Sequence, residues 1–97
     1  MLFRSLGKLL QFQQSVAEAQ RQLTQIDGKK QQAEQEQGRV RSNLASVPAN
    51  SDLQRRYLAM LDKQETEIAA LAEQKADAEK AVEAARNALR GYVGSLG

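Results

Sequence analysis

Two strings of core-type residues, each advancing alternately by three and four, lie on either side of one proline-containing turn. The first is Leu9, Phe12, Val16, Ala19, Leu23, Ile26, Lys30, Ala33, Gln37, Val40 and Leu44. The second is Tyr57, Leu61, Gln64, Ile68, Leu71, Lys75, Ala78, Val82, Ala85, Leu89 and Tyr92. Alternation of three and four is the repeat of a helix that buries one narrow stripe against another helix. If the chain folds back between the strings, facing residues must have position numbers with a constant sum. Leu9 with Tyr92, Phe12 with Leu89, Leu23 with Ala78, Ala33 with Ile68, Val40 with Leu61 and Leu44 with Tyr57 all sum to 101. Several of these rungs oppose a large side chain to a small one, as close helix packing requires. Polar Gln37 faces Gln64 on the same sum.

The turn lies in Ser46-Val47-Pro48-Ala49-Asn50-Ser51-Asp52. Pro48 lacks an N–H and disfavours helix at Val47. Ser51 stands three residues before Gln54, the spacing of a capping box, and Asp52 puts a negative charge in the first turn. The sequence therefore predicts an all-α fold: two long helices in an antiparallel coiled-coil hairpin, helix 9–46, turn 47–51 and helix 52–93 within a hairpin spanning 9–94. Asp27-Gly28 is a turn signal, and the rival reading breaks the first helix there into two. The unbroken phase Leu23, Ile26, Lys30, Ala33 argues for continuity, with Gly28 and Gly38 on the outer face. Gly94 is expected as a left-handed cap, and residues 95–97 as a frayed tail.

Residues 1–8 are expected to be poorly ordered or artefactual. Leu2-Phe3-Arg4-Ser5 matches one translated frame of a common sequencing adapter, so Met1–Ser5 is read as non-native and the chain as the tail of a longer reading frame. Genomic sequence running unbroken through Leu2–Ser5 overturns that reading. Arg4 and Lys8 interrupt the apolar run here, which excludes a signal-peptide core.

Composition narrows function mostly by exclusion. With no His and no Cys, the usual partners of a nucleophilic or thiol mechanism are missing, and a two-helix pair offers no pocket for a Ser–Lys arrangement. No enzymatic activity and no cofactor are expected. Glu73 with Asp77, or Glu79 with Glu83, sit one helical turn apart, but hard cations take six or more oxygens; these pairs read as a solvated face, with no metal site. The net charge is +2, too weak a field for a nucleic-acid binder, and no apolar run approaches a membrane span. On the outer face, Glu18 with Arg21, Glu36 with Arg39, Asp52 with Arg56, and Glu83 with Arg86 are spaced to pair.

Three features remain. Arg39, Arg41, Arg55 and Arg56 gather around the turn as a candidate partner contact at the hairpin tip. Lys30, Lys75 and the Gln37–Gln64 rung read as devices that set register, the lysine stems packing while their ammonium groups reach water. Leu58, Met60, Ala72 and Ala76 suggest a second apolar stripe for docking on a parent domain or for self-association.

Glu34-Gln35-Glu36-Gln37-Gly38-Arg39-Val40-Arg41-Ser42-Asn43-Leu44, followed by Ser51-x-Leu53, Arg56-Tyr57-Leu58 and Leu61-x-x-Gln64-Glu65, resembles the C-terminal coiled-coil hairpin of the mucoidy-inhibitor-A-like bacterial proteins, a family of largely unknown function. The likeness covers roughly Leu9 to Leu96. It implies an arm attached to a β-rich domain, a protein partner or parent domain, and the cell envelope or periplasm; it supplies no catalytic residues. The alternative is a secretion-stalk-type helical hairpin that binds an export ATPase ring, which implies the cytoplasm.

Overall fold

The computed structural model describes residues 2–96. They form two helices, α1 (Leu2–Leu44) and α2 (Asp52–Leu96), packed against each other as an antiparallel hairpin. α1 continues through Gly28 and Gly38, so the three-helix alternative does not occur. Every residue of the two three–four strings is buried or half-buried. The phase also extends one rung toward the turn: Val47 and Gln54, which again sum to 101, are both half-buried. The chain divides into two compact units, one built from residues up to Ile26 with those from Lys75 onward, the other from Asp27–Gln74.

In the first unit Ala78 and Val82 are the buried centre. Tyr92 stacks on Phe12, with ring centroids 5.0 Å apart and planes at 26°. Its hydroxyl donates to the Ser5 carbonyl at 3.1 Å. Tyr92 is thus two-sided, an apolar ring in the seam and a polar tip at its edge. α1 begins at Leu2 rather than near Leu9. The reason is local: Leu2–Lys8 contains no proline, and Ser5 continues the phase one step beyond Leu9. At the other end α2 runs to Leu96, and among the described residues no glycine takes a positive φ. The left-handed cap expected at Gly94 is therefore absent, because the helix carries on through it. Gly97, part of the expected tail, lies outside the described residues, as does Met1.

In the second unit Val40, 4% exposed, and Leu71 are buried beside Gln37. The last bonds of α1 tighten from four-residue to three-residue spacing. Ala45 N–H donates to Arg41 O at 3.3 Å, then Ser46 N–H to Asn43 O at 3.2 Å and Val47 N–H to Leu44 O at 3.4 Å. That tightening satisfies carbonyls left over at the helix end. The Ser51 hydroxyl accepts the Gln54 N–H at 3.1 Å and donates to the Pro48 carbonyl at 2.7 Å. The return bond of the box comes one residue early, from the Asn50 N–H to Gln54 Oε1 at 2.7 Å. Asn50 sits in the left-handed region with φ 64°, a conformation asparagine tolerates better than most residues.

A Cβ added at Gly28 or Gly38 would meet nothing within 4 Å. Both glycines lie inside a helix on its solvent side. Gly28→Ala and Gly38→Ala should each raise the unfolding free energy by about 1 kcal/mol, read from urea melts followed by circular dichroism. A double variant no more stable than the parent would contradict an uninterrupted α1.

Candidate functional site

The arginines at the tip all belong to the second unit and all are exposed. The structure does not bring them to one face. Arg39 and Arg41 are two positions apart on α1, and Arg55 and Arg56 are adjacent on α2; neither spacing shares a helix side. Three are also met by acids. Arg39 pairs with Glu36, Arg41 NH2 lies 3.2 Å from Glu65 Oε1, and Arg55 NH2 lies 2.7 Å from Asp52 Oδ1. The expected Asp52–Arg56 pair is replaced by Asp52–Arg55, since in the first turn the three-residue spacing brings the carboxylate closer. Arg56 is left as the exposed cation of the group, and among the described residues it makes no ion pair.

Arg56 has company that sequence reading did not single out. Leu53, Arg56 and Met60 repeat at three and four and so share one flank of α2. Leu53 is 43% exposed and Met60 44%. The signal was present in their spacing, but Met60 had been grouped with Leu58. Those two residues are two positions apart and fall on different sides of the helix, so the single stripe of Leu58, Met60, Ala72 and Ala76 is not formed. Leu58, Ala72 and Ala76 are exposed on the other flank.

The polar rung behaves differently from the expected glutamine–glutamine layer. Gln37 is 7% exposed, and its Nε2 donates to Glu65 Oε1 at 2.6 Å, the same oxygen that Arg41 reaches at 3.2 Å. A charged acceptor makes the stronger bond, and Glu65 sits one residue beyond Gln64 at the seam's edge. Gln64 Oε1 is left buried with no hydrogen-bond partner. Lys30 resolves its position as expected of a long cation: the stem packs, and Nζ reaches Glu34 Oε1 at 2.6 Å. Lys75 is half-buried and engaged.

On the outer face Glu18 and Arg21 pair at 2.9 Å as expected. Arg86 instead crosses to α1, donating to Gln20 Oε1 at 3.3 Å. Among the described residues no three acidic, His or Cys side chains converge as a metal site would require. Shallow grooves run between the helices: one in the second unit is lined by Lys29, Ala33 and Glu36 of α1 with Gln64, Glu67 and Leu71 of α2. Among the described residues no helix is long and apolar enough to cross a membrane. No protein-family model, no curated protein and no solved structure matches the chain.

A buried acceptor without a partner costs about 1–3 kcal/mol. Gln64→Leu removes that acceptor and adds apolar area to the seam, so its melting temperature should rise by several degrees in a thermal scan. A fall would show that Gln64 makes a bond the seam depends on.

Proposed function

We propose that this chain is a non-catalytic coiled-coil arm that presents a protein-contact surface at its hairpin tip. The carrying observation is the flank Leu53–Arg56–Met60. Two exposed apolar side chains border a cation that makes no ion pair among the described residues, whereas the neighbouring arginines are held by their own acids. Arginine framed by apolar surface is the composition that concentrates binding energy in protein interfaces. The seam supports the same reading from the other side. Its side chains are consumed in packing one helix on the other, so recognition falls to the outer face. The resemblance of Glu34–Leu44 and Arg56–Leu58 to a coiled-coil hairpin of larger bacterial proteins also favours an arm.

A photoreactive residue placed at Met60 in the producing cell should give one discrete protein adduct. The same residue at Thr66, exposed on a different side of α2, should not, and Arg56→Ala should cut the Met60 adduct at least about tenfold, as loss of an interface arginine does. Equal labelling at both positions, or labelling indifferent to Arg56→Ala, contradicts the proposal.

A further inference from the structure

The first unit carries a second surface, with different chemistry. Leu6, Leu10 and Val93 are about half exposed, Leu96 is 51% exposed and Phe3 86%. Leu6 and Leu10 belong to a three–four series with Gln13, Ala17 and Gln20, so they share one flank of α1. Gln20 accepts the bond from Arg86 at 3.3 Å, and Arg86, Arg90 and Val93 form the matching series on α2. Apolar side chains and cations therefore lie on the same flank of this end. Arg4 and Lys8 border the opposite flank, where they line a groove with Ser5 and Tyr92.

The charge toward the very ends of the helices is positive, while farther along α2 Arg86 and Arg90 line a groove with Glu79 and Glu83. Between residues 3 and 17, and again between 84 and 96, there are four cations, Arg4, Lys8, Arg86 and Arg90, and no Asp or Glu. The two arginines of α2 bond only neutral amides, Arg86 to Gln20 and Arg90 to Asn87 Oδ1 at 2.6 Å. Among the described residues none of the four is in an ion pair, in contrast to Arg39, Arg41 and Arg55 at the tip.

We infer that this end of the hairpin docks on an anionic lipid surface, with Leu6, Leu10, Val93 and Leu96 entering the headgroup boundary and the cations reaching lipid phosphates and carboxylates. Apolar side chains interleaved with Lys and Arg that are free of ion pairs are the chemistry of an interfacial anchor. The long stems of Lys and Arg let the charge stay at headgroup level while the leucines go deeper. A protein groove is a poorer fit: it grips an apolar stripe that continues over successive turns, and here the series turns polar at Gln13. Nucleic acid would use the cations but leave the leucines without a role, and Phe3 alone makes no stacking platform. The surface does not require residues 1–5, since Leu6, Lys8, Leu10, Arg86, Arg90, Val93 and Leu96 lie outside them. It also stands independently of the contact proposed at the tip. Among the described residues no helix is long and apolar enough to cross the bilayer.

Flotation of the full chain with vesicles tests this. Vesicles of phosphatidylcholine with roughly 30 mol% phosphatidylserine should bind at least about tenfold more tightly than pure phosphatidylcholine, and about 0.5 M salt should remove most of that difference. Arg86→Gln with Arg90→Gln, and separately Leu6→Gln with Leu10→Gln, should each weaken binding about tenfold while helical circular dichroism is unchanged. Arg55→Gln with Arg56→Gln should leave it unchanged. No adsorption, equal adsorption to neutral and anionic vesicles, or an equal loss in the tip variant overturns the inference. Binding to polyglutamate without adsorption to vesicles overturns it in favour of an acidic protein partner.

Discussion

The seam between α1 and α2 is the constraint on which everything else in this chain depends. It holds because the spacing on each helix and the length of the turn agree. A seven-residue repeat keeps one stripe of each helix facing its partner, and the capped turn joins the stripes at the right offset. Ser51 contributes at two places, to Gln54 at the start of α2 and to Pro48 in the turn. Asn50 supplies the one left-handed residue that reverses the chain. The buried set of Val40, Leu71, Ala78 and Val82 is small, and the half-buried rungs around it share the load along both helices.

Reading the sequence recovered the seam completely because burial in a helical pair is a periodic property, and period survives any local detail. Every member of the two strings, from Leu9 to Leu44 and from Tyr57 to Tyr92, is buried or half-buried. The failures are of another kind. Which acid an arginine meets depends on rotamers and on the last ångström of separation, so Asp52 goes to Arg55 and Arg86 to Gln20. Gln37 takes Glu65 in preference to the amide it faces because a carboxylate is the better acceptor. Gly94 stays helical because nothing after it demands a reversal. The supposed second stripe failed on geometry that was available from the start, since Leu58 and Met60 are two residues apart and cannot share a face.

A seam that absorbs the core side chains leaves function to what remains outside it. That remainder is uneven. Around the turn, charges are locally matched and Arg56 stands out against Leu53 and Met60. In the unit built from the other ends of both helices, Arg4, Lys8, Arg86 and Arg90 make no ion pair among the described residues, and apolar residues are exposed beside them. Two surfaces of such different chemistry suit an arm with a separate task at each, contact with protein at one and with lipid at the other.

Both surfaces exist only if α1 and α2 of one chain pack on each other. Cysteines replacing Val40 and Leu61, joined by a short thiol crosslinker, test that pairing directly. The seam requires a crosslink within a single chain, independent of protein concentration and running at the 10.7 kDa monomer mass. Crosslinks formed only between chains, and rising with concentration, would replace the hairpin by an oligomer of separate long helices.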